Sequence, residues 1–87
     1  MARRQQAAKS GPGRLYSAAE VIDVTGITRQ MLYNYLAIGL IRPGGATPGG
    51  RNLYGEECVR RIGLIRRLNR SGYTLRDIRD IFMQEDA

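Results

Sequence analysis

YSAAEVIDVTGITRQMLYNYLAIGL, residues 16–40, decides the fold of this chain. Ser17 precedes Glu20 by three residues, the S-x-x-E spacing of a capping box, in which two side chains satisfy orphan amides at a helix start. A first helix is therefore expected from Ala18 to about Val24, with Ala18, Val21 and Ile22 at helical spacing on its inner face. Thr25-Gly26 stops it, because glycine takes the left-handed geometry that closes a helix. Thr28 then offers a hydroxyl to N-cap a second helix, over about residues 28–38, and Gly39 ends that one. Helix, short turn with glycine, helix is the form of a helix-turn-helix.

A plain αα-hairpin has the same outline. The outer face of the second helix separates the two readings. Arg29, Gln30, Tyr33 and Asn34 lie there at helical spacing, and none suits a core. Arg and Gln match base edges or phosphates, Asn pairs with adenine, and Tyr hydroxyls meet phosphates. This face favours reading of DNA in the major groove.

Composition supports a polyanionic partner. The chain has 87 residues, enough for one small domain, and a formal net charge of +6 carried almost wholly by arginine. Arginine favours planar, bidentate contacts with phosphate and base edges over diffuse attraction. An acidic membrane is the rival polyanion. No segment is long or apolar enough to span one, and no Lys-rich helix face opposes an aromatic one. The single Cys58 permits neither an internal disulfide nor a thiolate cluster, which points to a cytoplasmic chain, and the absence of histidine excludes His-based catalysis or ligation. No catalytic constellation can be assembled, so the chain reads as a non-enzyme without cofactor or metal.

Outward from the motif, residues 1–14 open with MARRQQAAKSGPG, basic, free of acids and ending in Gly-Pro-Gly, as a disordered arm would. It has no apolar core of a secretory signal. After the second helix, Leu40-Ile41-Arg42-Pro43 and Arg51-Asn52-Leu53-Tyr54 read as two extended pieces flanking GGATPGG, a hairpin with a mobile tip. The glycine-rich loop lacks the lysine and spacing of a phosphate-binding P-loop. Following a helix-turn-helix, such a hairpin forms a wing, with Arg51 and Asn52 at its base. A solvated turn is the alternative for both. A third helix is expected from Glu56 to Arg70, with Val59, Ile62, Ile65 and Leu68 as its core stripe, broadened by Cys58 and Leu64. Arg60, Arg61, Arg66 and Arg67 lie on its polar face. Thr74 with Asp77 caps a fourth helix through about Met83, whose inner stripe is Leu75, Ile78, Ile81 and Phe82. Residues 84–87 are a short tail, in which no dimerisation coil fits. The expected fold is mainly α: a four-helix winged helix-turn-helix over residues 15–83 with a short two-stranded wing hairpin.

From Tyr16 to Phe82 the chain resembles the DNA-binding domain of the MerR family of bacterial regulators. The resemblance is carried by YSAAEVIDVTGIT, Tyr35, the Gly39-Leu40-Ile41 corner with Pro43, Gly-Gly-Arg-Asn-Leu-Tyr up to Tyr54, and LIRRLNRSGYTLRDIRDIF. It implies the second helix in the major groove and the wing on flanking backbone. By position it makes Thr28, Arg29, Gln30, Tyr33, Asn34 and Tyr35 groove and phosphate contacts, with Arg51 and Asn52 from the wing. Ser17, Arg42 and Tyr54 complete the candidate DNA-binding set. Tyr33-Asn34-Tyr35-Leu36 stands where the family commonly has Arg-Tyr-Tyr and an acid, and Gly50-Arg51-Asn52 where it often has Gly-Tyr-Arg, so no target sequence carries over. The family's long dimerisation helix and effector domain are not expected here.

The leading expectation is a sequence-specific double-stranded DNA-binding regulator of transcription in the bacterial nucleoid. It would bind either as a monomer or as copies side by side on repeated half-sites, with Leu36 a candidate contact between copies and core packing its alternative. RNA polymerase is a candidate partner. An excisionase-like or architectural DNA-binding factor is the alternative. A module docking an acidic protein through Arg60, Arg61, Arg66 and Arg67 is another.

Overall fold

The computed structural model describes residues 14–86. The expected basic arm lies outside the described residues except for Arg14, and so does Ala87 of the expected tail. In chain order the elements are β1 (Leu15–Tyr16), α1 (Ala18–Thr25), α2 (Arg29–Ala37), β2 (Gly45–Ala46), β3 (Asn52–Gly55), α3 (Glu56–Arg70) and α4 (Leu75–Asp86).

The local signals act as chemistry requires. The Glu20 amide donates to Ser17 Oγ at 3.1 Å and the Ser17 amide donates to Glu20 Oε1 at 2.9 Å, closing the capping box on α1. Thr28 Oγ1 accepts from the Met31 amide at 3.0 Å and starts α2. That helix ends in a Schellman motif: the Leu40 amide donates to Tyr35 O at 2.9 Å and the Gly39 amide to Leu36 O at 3.2 Å. Gly39 sits at φ +83°, which a side chain would strain. The motif drives Leu40 and Ile41 straight into the core. For that reason 40–43 is not the first arm of the hairpin, as expected from sequence. The arm is the two-residue β2 further on.

The sheet gains a strand unforeseen in the sequence. Its order is β1-β3-β2, all antiparallel, with Leu15 opposite Gly55, Tyr16 opposite Tyr54, Gly45 opposite Leu53 and Ala46 opposite Asn52. β1 thus ties the start of the helix-turn-helix to the base of the wing. The Tyr16 hydroxyl reinforces this by donating to Glu56 Oε1 at 2.8 Å, and the Arg14 guanidinium stacks 4.3 Å from the Tyr16 ring centre.

α3 crosses behind this assembly. Its Cys58, Ile62 and Ile65 are buried against Val21, Leu32, Leu40 and Tyr54, and Ile78 and Phe82 of α4 close the core. Leu64 does not join the expected stripe: it is 41% exposed at the stripe's margin. α4 runs to Asp86, past the expected end at Met83, because nothing in Gln84-Glu85-Asp86 breaks a helix. No charged or polar residue is buried among the described residues, so hydrophobic burial dominates the core. None of the described helices is long and apolar enough to cross a membrane.

Candidate nucleic-acid interface

Three separate stretches converge on one groove of about 560 Å³. Ser17, Ala18 and Ala19 bring the amino end of α1. Arg29 and Tyr33 come from α2. Thr47, Arg51 and Asn52 come from the wing. Each is held by its own local chemistry. The capping box holds Ser17, and the Thr28 cap starts α2 so that Arg29 occupies its first turn. The amino ends of both helices carry partial positive charge, which suits anions.

The wing tip is tied by a compact set of bonds. Thr47 Oγ1 accepts from the Arg51 amide at 3.1 Å, the Thr47 amide donates to Arg51 O at 2.8 Å, and the Gly50 amide donates to Thr47 O at 2.9 Å. These bonds hold Arg51 beside Thr47, and both line the groove. Thr47 was missed from sequence. The available signal was its place before Pro48-Gly49-Gly50, where a Thr hydroxyl can bond a backbone amide further on.

The remaining candidates divide. Gln30 and Asn34 are exposed one turn apart on α2, and Gln30 Nε2 donates to Asn34 Oδ1 at a long 3.4 Å. Thr28 is exposed, with its hydroxyl serving the cap. Tyr33 is 51% exposed, with its ring at the groove. Arg42 is exposed but lies elsewhere, in a second recess of about 480 Å³ with Pro43, Glu57, Cys58 and Arg61. Two candidates are not on the surface. Tyr35 and Tyr54 are 3% and 1% exposed and belong to the core. Tyr35 faces inward because it shares the α2 stripe of Leu32. Tyr54 does so because β3 runs into α3, and there the ring packs into the same core cluster as Val21 and Ile62. Burial raises the Tyr35 phenol above its ordinary pKa, against the lowering effect of the Arg66 charge. Tyr54 contributes only the inner wall of the groove.

The basic face of α3 also divides. Arg61 stacks 4.6 Å from the Phe82 ring centre, and Arg66 Nη1 donates to Thr25 O at 2.6 Å. Both are engaged with the fold, while Arg60 and Arg67 are exposed. Leu36, weighed as a contact between copies, packs against the core. Cys58 is buried, and desolvation raises its thiol to about 11. Among the described residues no group of three or more His, Cys, Asp or Glu could hold a metal ion.

Comparisons with known proteins bear on the family and the fold. The model of the MerR HTH family regulatory protein matches residues 16–85. The nodulation protein NolA of Bradyrhizobium elkanii is 35% identical over 66 residues, which are 76% of this chain and 30% of NolA. The chain thus spans about a third of that relative's length. A transcriptional regulator of the MerR family from Bacillus cereus superposes with a TM-score of 0.76 at 27% identity, covering 85% of this chain and 55% of that one. HiNmlR, a MerR family regulator lacking the sensor domain and solved bound to promoter DNA, shares the fold with a TM-score of 0.71 at 24% identity, over 78% of this chain and 52% of its own. A match that begins at Tyr16 and ends within α4 takes in the helix-turn-helix, the wing and the helices behind them, and the chain belongs to the MerR helix-turn-helix family of regulatory proteins.

Proposed function

We propose that this chain binds double-stranded DNA with sequence preference and regulates transcription, with α2 in the major groove and the wing on the flanking backbone. One observation carries the reading: Arg29 and Tyr33 of α2 meet Arg51 and Asn52 of the wing along a single groove. In the proposed complex Arg29, Gln30 and Asn34 face base edges, and Tyr33, Arg51 and Ser17 face phosphates. Family membership and the promoter-bound state of HiNmlR support the same reading. A domain this small makes few contacts, so tight binding calls for neighbouring copies on repeated half-sites. RNA polymerase, in the bacterial cytoplasm, is the proposed downstream partner.

The test is a titration against random and genomic duplexes at several salt concentrations, with sequencing of the retained fragments. The expected result is one enriched motif and a steep salt dependence. Arg51→Ala should lower the slope of log K against log salt by about 0.9, the contribution of one phosphate contact, without changing the motif. A steep slope with no motif would replace sequence reading by an architectural role. No binding near physiological salt would refute the reading.

A further inference from the structure

We propose that Arg66 of α3 is the residue that aims the recognition helix, setting the turn between α1 and α2 from behind and so controlling sequence discrimination without touching DNA. The inference rests on the DNA-reading function above. Arg66 Nη1 donates to Thr25 O, the last carbonyl of α1, at 2.6 Å, a contact that spans 41 positions of the chain. That carbonyl lies at the negative end of α1, where a cation is favoured. The turn is shaped around this guanidinium. Gly26 sits at φ +77°, and a Cβ there would lie 3.3 Å from Arg66 Nη1. The Thr25 side chain is turned away to donate to Val21 O at 2.7 Å, so it does not compete for the site. The charge of Arg66 is also felt at Tyr35, which is buried in α2 itself.

One guanidinium therefore addresses the end of the first helix, the glycine of the turn and the second helix. Base readout needs α2 and the wing groove in a fixed relation, whereas phosphate attraction needs only the exposed charges. Loss of Arg66 should separate the two. Arg66 is half-buried and is absent from the groove lining, so a direct contact does not account for such an effect.

The experiment compares the full chain with Arg66→Gln, Arg66→Lys and the exposed-arginine control Arg70→Gln, on the motif duplex selected by the wild type and on a scrambled duplex. In Arg66→Gln the ratio of specific to non-specific affinity should fall about tenfold, the size of one misread base pair. Its non-specific affinity and salt slope should stay at the wild-type values. Arg66→Lys should fall between, since an ammonium restores the charge but not the planar donor, and Arg70→Gln should keep the ratio. Independently of DNA, the Tyr35 phenol should titrate at higher pH in Arg66→Gln than in the wild type. A folded Arg66→Gln with the wild-type ratio, or one losing specific and non-specific affinity by the same factor, overturns the proposal. Should Arg66→Gln fail to fold, an unchanged ratio in Arg66→Lys overturns it and a lowered one supports it. A wild type without any selected motif instead refutes the DNA-reading function, and an unmoved Tyr35 titration then also removes Arg66 from the turn.

Discussion

Tyr33 and Tyr35 lie two positions apart on α2, and their replacement should have opposite consequences. Tyr35 is 3% exposed within the core and Tyr33 is 51% exposed. Truncating a fully buried aromatic ring costs about 3–5 kcal/mol, the transfer of its surface plus the cavity it leaves. A domain of this size holds roughly 4–11 kcal/mol in total. Tyr35→Ala should thus remove a large share of the stability and lower Tm by at least about 12 °C, at about 4–8 °C per kcal/mol. Tyr33→Ala removes no core contact and should stay within about 0.5 kcal/mol of wild type. Its effect should appear in DNA affinity, about fivefold for one lost hydrogen bond worth about 1 kcal/mol. Thermal melts followed by circular dichroism, with a duplex titration at a temperature where both proteins are folded, measure the two quantities separately. A Tyr35→Ala protein melting within a few degrees of wild type would refute the placement of that ring in the core. A Tyr33→Ala protein with unchanged DNA affinity would refute its assignment to the interface.

Ser17→Ala should remove the bond that Ser17 Oγ accepts from the Glu20 amide, leaving the one that the residue-17 amide donates to Glu20, and cost about 1 kcal/mol in a urea melt, even without DNA. Gly63 lies exposed in the interior of α3, and a Cβ there meets nothing within 4 Å. Gly63→Ala should therefore stabilise the protein by about 0.5–1 kcal/mol, read as a rise in Tm, and a fall would show that α3 has a neighbour at that point. The Cys58 thiol, raised to about 11 in the folded state from 9.0, stays neutral where an unfolded chain ionises. The unfolded state then binds fewer protons, so stability is full below about pH 9 and declines as pH rises toward about 11. Denaturant melts across that range, against Cys58→Ala, should show a smaller decline in the variant. The same protection predicts slow reaction of the native thiol with alkylating reagents at pH 8.

Much of the molecule was written in short-range signals. Ser17 and Glu20, Thr28, Gly39 and the Thr74–Asp77 pair each act within a few residues, and a cap works the same way wherever the helix is packed. The apolar spacing of α3 and α4 likewise located the core, with Leu64 as the exception. The candidate site was legible to the extent that outward positions of α2 were. Arg29, Gln30, Tyr33 and Asn34 are on the surface as their polarity demands. Tyrosine carries no such instruction. Its ring is apolar and its hydroxyl polar, so Tyr33, Tyr35 and Tyr54 were indistinguishable until packing sorted them. Arginine is similarly ambiguous, since its long apolar stem lets the head serve the fold or the solvent.

By itself, then, the sequence determined the helices, their order, the turn between α1 and α2 and the basic character of the chain, because these follow from caps, periodicity and charge. Only the tertiary structure decided what depends on residues distant in the chain. β1 is two residues long and has no readable periodicity; it exists because Leu15 and Tyr16 find Gly55 and Tyr54. The groove exists because β3 brings Arg51 and Asn52 beside Arg29, and Thr47 joins it through the turn that it closes. Arg66 parted from its neighbours on the basic face because the end of α1 offered it a carbonyl. Such partnerships lie between elements, where no local pattern records them and only packing brings the groups within hydrogen-bonding distance.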